Sequence, residues 1–285
     1  MIEPVLGTMM GDGVELHYAL WEGQGTPVVC IHGLTANCRN WDVVANVLAP
    51  DYRVLAMDLR GRGGSGQPPS GYAIDQHCRD IAALLKGLGI GSCSLMGHSL
   101  GALISLAYAA QYPEQVERII LIDGGGKLSD DQTTKILAAI RLSVERLGKV
   151  FSSFEAYRDY LRQTPLFGPW RPAMDTFFRH DIEPAGEGIR SRIRASAIEE
   201  EVRSLKEYDV DGVYREVRCP VLILRATEGM LDQTDILLPE DVQERMLREL
   251  TGARLVDLEA NHYTVMFQEN EARNQAIRTF LAEQE

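Results

Sequence analysis

Gly97-His98-Ser99-Leu100-Gly101 sets a serine between two glycines where an apolar stretch, residues 92–96, gives way to an apolar helical pattern beginning at residue 100. In the pattern G-x-S-x-G, small flanking residues let strand and helix approach closely while a strained turn exposes the hydroxyl above a sheet. Ser99 is therefore a candidate nucleophile. A serine hydroxyl attacks poorly until a base removes its proton, and that base must itself be oriented by an acid. His262 stands directly after the last strand-like stretch, in Glu259-Ala260-Asn261-His262-Tyr263, and follows the serine in chain order as this arrangement requires. It is the candidate general base. The other histidines have plainer places: His17 in an opening hairpin, His77 on a surface-helix pattern, His180 in a helical segment, and His98 in the variable slot of the serine motif. His32 follows the first buried strand, in Cys30-Ile31-His32-Gly33-Leu34, where a glycine lets the chain fold back. The backbone N–H groups of Leu34 and Leu100 are the candidate oxyanion hole, with His32 supporting the loop.

These residues need a scaffold that brings them to one edge. The chain has 285 residues, 45% of them hydrophobic, enough to bury one large α/β core with room for an insertion. A net charge of -12 repels phosphate and anionic lipid, so no nucleic-acid or membrane partner is expected. No apolar run approaches the ~20 residues of a membrane span, and Met1-Ile2-Glu3-Pro4 lacks a cationic, apolar leader. A soluble, cytoplasmic protein acting on a small molecule is expected. The five cysteines, Cys30, Cys38, Cys78, Cys93 and Cys219, are odd in number and lack C-x-x-C spacing, which suggests core residues rather than a disulfide framework or a zinc site.

Residues 5–21 alternate and break at Gly11-Asp12-Gly13, the signature of an antiparallel hairpin. Short runs apolar on both faces follow at 28–31, 53–57, 92–96, 118–122, 221–224 and 254–258, as in a parallel sheet covered on both sides. Helical patterns lie between them at 41–48, 75–88, 100–111, 240–250 and 269–281, in the manner of βαβ units. Residues 127–215 break the alternation. They carry no strand signal but several helix starts, including the capping boxes Ser129-x-x-Gln132 and Ser152-x-x-Glu155. This reads as a helical cap inserted into a core formed by residues 1–126 and 216–285. The cap holds many aromatics, expected mainly to pack on one another, with a few facing what lies beneath; Trp170, and Trp41 near the His32 loop, are candidates for a pocket wall.

With these pieces in order, the chain resembles the lidded members of the α/β-hydrolase superfamily. The matching residues are His32-Gly33 after the first core strand, Asp58-Leu59-Arg60-Gly61-Arg62-Gly63-Gly64-Ser65 after the next, the Ser99 turn, and Asn261-His262-Tyr263. The resemblance implies an eight-stranded, mostly parallel sheet with helices on both faces and a helical lid after the sixth strand. It also bears on the acid, which in most of that family follows the seventh strand. Here Arg225-Ala226-Thr227-Glu228-Gly229-Met230-Leu231-Asp232 has Gly229 at the expected position, and Asp232 and Asp235 stand farther away. A minority of the family carries the acid at the end of the sixth strand, where this chain has Asp123. Asp123 ranks first, Asp232 and Asp235 next, and Glu228 last; a turn-stabilising role for Asp123 beside Gly124-Gly125-Gly126 is the competing explanation.

A serine nucleophile with two oxyanion donors forms an acyl-enzyme and hydrolyses it, so the expected substrate carries an ester, thioester, lactone or activated amide carbonyl. A carboxylesterase or lactonase acting on a small to medium, mainly apolar substrate is the leading expectation, with no metal or organic cofactor needed. Carbon–carbon bond hydrolysis of a diketone-like substrate would use the same three residues. A ligand-binding receptor on this fold is the third reading, and the intact Ser99 and His262 motifs count against it. The oligomeric state and the natural substrate are left open by the sequence.

Overall fold

The computed structural model describes residues 2–283, in which the two opening strands, β1 (Val5–Met10) and β2 (Glu15–Trp21), pair antiparallel across the Gly11-Asp12-Gly13 turn. Next come β3 (Val28–Ile31), a 3-10 turn at Cys38–Trp41, α1 (Asp42–Leu48), β4 (Val54–Met57), α2 (Ile74–Gly87), β5 (Cys93–His98), α3 (Leu100–Gln111) and β6 (Val116–Ile122). The segment that follows contains α4 (Asp130–Ala139), α5 (Arg141–Glu145), α6 (Phe154–Leu161), α7 (Pro172–Asp181), β7 (Ile182–Ala185), β8 (Gly188–Ser191), α8 (Ala195–Glu207) and α9 (Val210–Glu216). The chain closes with β9 (Val221–Ala226), α10 (Glu240–Glu249), β10 (Arg254–Leu258), α11 (Thr264–Phe267) and α12 (Glu271–Ala282).

Eight strands form one sheet in the order β1-β2-β4-β3-β5-β6-β9-β10. Only β1–β2 and β2–β4 are antiparallel; every other pair is parallel. All residues of β3, β4 and β5 are buried, because helices cover both faces. One apolar cluster joins α2, α3, α9 and α10 to the sheet, and a second joins α1, α11 and α12 to the other face. Parallel strands discharge their C-terminal ends at one edge, where ligands of open α/β sheets bind. Ser99, Asp123 and the loop after Ile31 therefore share that edge.

Two local expectations need correction. The segment of residues 127–215 does contain strands: β7 and β8 form a separate hairpin, Ala185 opposite Gly188. Its strands are only four residues long and carry Glu183, Pro184 and Arg190, so the alternation that betrays a longer strand is absent. The second capping site lies one residue later than expected: Ser153, not Ser152, accepts the N–H of Ala156, while the Ser129/Gln132 box forms as read. The last helix of the segment, α9, buries Val210 and Tyr214 in the core cluster around α3. Among the described residues no helix is long and apolar enough to cross a membrane.

Candidate active site

Ser99 sits between β5 and α3 with φ 57 and ψ -121, one of two non-glycine residues with positive φ among those described; the other is Asp123, with φ 43. Such conformations cost of order 1–3 kcal/mol and persist only where packing dictates them. The packing is visible. A Cβ on Gly101 would come within 1.9 Å of the Ile31 carbonyl oxygen, so only glycine lets α3 start this close to β3. The N–H of Ser99 donates to the Ile122 carbonyl at 3.1 Å, and that of Asp123 to Leu224 at 2.8 Å, which tie both turns to the neighbouring strand ends.

His262 follows β10 and brings its Nδ1 to 2.7 Å from Asp123 Oδ2, both side chains buried. Asp123 Oδ1 accepts the N–H of Ala226 at 3.2 Å. With Nδ1–H donating to the carboxylate, Nε2 is left with its lone pair, the form a base requires. The other candidate acids are occupied elsewhere. Asp232 is exposed and accepts from Thr234, and Asp235 accepts the N–H groups of Met230 and Leu231, stabilising its own loop. Glu228 is exposed.

Ser99, His262, Leu34 and Leu100 line one cavity of about 270 Å³. Gly33 presses against the serine: a Cβ on it would lie 3.0 Å from Ser99 Cβ and 3.5 Å from Oγ. Leu100 opens α3, so its N–H belongs to the first turn, which has no intrahelical acceptor. The loop carrying Leu34 is held from several sides. Buried His32 accepts the Leu59 N–H on Nε2 at 3.0 Å and donates from Nδ1 to the Gly33 carbonyl at 2.8 Å. Burial pushes its imidazole down to about 4, which keeps it neutral in this double role. Arg62 donates to the Leu34 carbonyl at 3.1 Å, and Arg146, from the segment between β6 and β9, to the Thr35 carbonyl at 3.2 Å.

Two further histidines, given plainer places by the sequence, brace the site or its surroundings. His98 donates from Nε2 to the His262 carbonyl oxygen at 3.0 Å, accepts from Asn40 on Nδ1 at 3.3 Å, and stacks on the His262 ring. Burial holds its imidazole well below the ordinary range, so it is a neutral brace. Its adjacency to Ser99 was the available signal. His77, expected on a helix surface, is fully buried and bonds Glu201 of α8 at 2.6 Å, because α8 covers that side of α2. Glu201 also contacts Arg62.

The cavity wall differs from expectation. Trp41 is buried in the core, and Trp170 stacks on Phe178 and bonds Asp175, so neither lines it. Most aromatics of the segment between β6 and β9 pack on one another, Tyr208 being the one that reaches the cavity, and most of the wall is aliphatic: Ile136, Leu137 and Ile140 of α4 and its C-cap, and Val202 and Leu205 of α8, beside Lys206. Among the described residues one group of metal-ligating side chains converges, His17, Cys38, Asp58 and His180, and none of these lines the cavity.

A family model described as alpha/beta hydrolase fold matches residues 26–268. The chain is similar to a 2-(acetamidomethylene)succinate hydrolase of Mesorhizobium japonicum, 31% identical over 212 residues covering 74% of this chain and 73% of that one. It is also similar to a 3-hydroxybutyrate-oligomer hydrolase of Cupriavidus necator, 29% identical over 256 residues and 81% of each chain. A solved structure of E-2-(acetamidomethylene)succinate hydrolase superposes with a TM-score of 0.86 at 25% identity, covering 98% of this chain and 100% of the other.

Proposed function

The chain belongs to the alpha/beta hydrolase fold family and is a hydrolase, and from that premise we propose that it cleaves a carboxylic ester or lactone of a small to medium, mainly apolar substrate through an acyl-enzyme. Ser99 is the nucleophile, His262 the general base, Asp123 the acid that orients it, and the N–H groups of Leu34 and Leu100 receive the oxyanion. One observation carries this reading: Ser99 and His262 share a single cavity, and His262 turns its Nδ1 to Asp123 at 2.7 Å.

In the proposed reaction His262 Nε2 takes the hydroxyl proton as Ser99 Oγ attacks the carbonyl carbon. The carbonyl electron pair moves to oxygen, which meets the two backbone donors. His262 passes its proton to the leaving oxygen as the bond to carbon breaks. A water, deprotonated by the same imidazole, then attacks the acyl group; the bond from acyl carbon to Ser99 Oγ breaks and Oγ takes the proton back from Nε2. The aliphatic wall from α4 and α8 favours an apolar group beside the scissile bond.

A second reading, hydrolysis of an activated amide, is favoured by the acetamido group in the name of the Mesorhizobium relative. The chemistry differs only in the leaving atom. Steady-state hydrolysis of p-nitrophenyl esters from acetate to decanoate, alongside a lactone, an N-acyl enamide and a vinylogous diketone, tests both. Turnover of esters that disappears in Ser99→Ala, with fluorophosphonate labelling lost in parallel, is expected. Exclusive turnover of the enamide would select the second reading, and exclusive turnover of the diketone would move the chemistry to carbon–carbon cleavage. Labelling that survives in Ser99→Ala would reject the nucleophile.

A further inference from the structure

Away from the cavity, four side chains from four separate elements point at one another. His17 belongs to β2, Cys38 begins the 3-10 turn, Asp58 follows β4, and His180 stands in the last turn of α7. One ligand atom from each lies within 4.8 Å of all the others. Asp58 Oδ2 is 2.8 Å from His17 Nδ1 and 2.7 Å from His180 Nε2. Cys38 Sγ is 3.6 Å from His180 Nε2 and 3.9 Å from His17 Nδ1.

We propose that His17, Cys38, Asp58 and His180 bind one divalent cation of the zinc class, and that this ion fastens the segment between β6 and β9 to the core. Tetrahedral zinc, with bonds of about 2.0 Å to nitrogen or oxygen and about 2.3 Å to sulfur, needs ligand-to-ligand edges of roughly 3.3–3.6 Å. One edge from the sulfur fits and the other is slightly long, while the two carboxylate edges must open by about half an ångström. The imidazoles can supply that movement, since they are the partly exposed members of the set; Cys38 and Asp58 are fully buried.

The donor set suits such an ion chemically. A thiolate and a carboxylate cancel the charge of a divalent cation and the two imidazoles bind neutral, so the loaded site carries no net charge into the interior. Binding therefore displaces one proton, from the Cys38 thiol, to solvent. The carboxylate is already oriented: Oδ1 accepts the Cys38 N–H at 2.6 Å and Oδ2 the Gly64 N–H at 2.8 Å. Outer contacts of this kind fix a ligand's direction in metal sites. Four protein ligands leave no open position, and no member lines the cavity, so the ion is structural. Cysteine spacing gave no sign of it because each ligand comes from a different element.

Titration of the chelator-treated, folded chain with cobalt(II) tests the proposal without relying on activity. One equivalent should produce the visible bands of tetrahedral cobalt together with a near-ultraviolet sulfur-to-metal band, and zinc should displace both. Cys38→Ser should remove the sulfur band, whereas Cys219→Ser should keep it. His180→Asn, which retains a polar side chain on α7, should weaken zinc binding at least about 10-fold. A folded wild-type chain that takes up neither ion in a saturable 1:1 manner, or a sulfur band that follows Cys219, would overturn the site and leave a hydrogen-bonded cluster.

Discussion

His98 and His262 stack with ring centroids 4.6 Å apart, and the His98 Nε2–H is bonded to the carbonyl oxygen of His262 at 3.0 Å. The residue before the proposed nucleophile thus grips the backbone of the proposed base. His98→Ala should loosen the His262 loop while leaving the Asp123 contact in place. Because a misplacement of about 1 Å can cost 10²-fold, kcat is expected to fall roughly 10- to 100-fold with KM changed less than about 3-fold. His98→Gln, which keeps an N–H donor, should recover part of the loss. Unchanged kcat in His98→Ala would deny it a positioning role.

Asp123 and Asp232 separate by environment. Asp123 is buried, its Oδ2 facing His262, whereas Asp232 is exposed and bonded to Thr234. Asp123→Asn is expected to lower kcat about 10³- to 10⁴-fold by disfavouring the tautomer that leaves Nε2 free. Asp232→Asn should stay within about 2-fold of the unmodified enzyme on the same tautomer argument. Kinetics at equal folded fraction, checked by circular dichroism, decide between them, and the reverse pattern would move the acid to the β9 loop.

The parallel strands were legible because each is short, apolar on both faces and bounded by turn residues. The six runs coincide with β3, β4, β5, β6, β9 and β10 to within two residues at either end. Ser99 and His262 could be placed as candidates for a related reason: strand ends are identifiable, and parallel strands end at one edge; Asp123 ranked above Asp232, Asp235 and Glu228 only through the family resemblance, and its contact with His262 came from the fold. What escaped depended on contacts between distant elements. His77 reads as a surface residue until α8 brings Glu201 over it. The cavity wall drew on Trp170 and Trp41 because aromatics stand out in a sequence, whereas aliphatic Ile136 and Leu205 carry no local mark of facing a cavity. His17, Cys38, Asp58 and His180 share no spacing, since only the tertiary fold brings them together.

Stability should fall in mild acid. Burial pushes His32 down to about 4 from an ordinary 6.5, and burial likewise drives His77 and His98 well below that range. Well above pH 6.5 the His32 imidazole is neutral in both states and contributes no pH dependence. Below it the unfolded chain gains a proton that the folded chain refuses until about pH 4, so stability is lost as pH drops through that window. For His32 alone the loss reaches about 3 kcal/mol at the acid end. Tm measured between about pH 7.5 and pH 4.5 should decline steadily below pH 6.5. A flat Tm across that range would show that these rings accept protons in the folded state.

Leu205 of α8 lines the cavity and is only partly buried at the edge of the core cluster, so enlarging it should narrow the cavity. Ser99 and His262 lie on the sheet edge, whereas Leu205 belongs to the helical segment that closes the cavity. Leu205→Trp should therefore shift the preferred ester toward shorter acyl chains. Hydrolysis of acetate should stay within about 3-fold of the unmodified enzyme, and each methylene no longer accommodated should cost about 1 kcal/mol in kcat/KM. A uniform loss across the series, acetate included, would mean that the tryptophan disturbs the catalytic edge. An unchanged optimum would mean that the acyl chain does not run toward α8 and occupies the α4 side, beside Ile136 and Leu137.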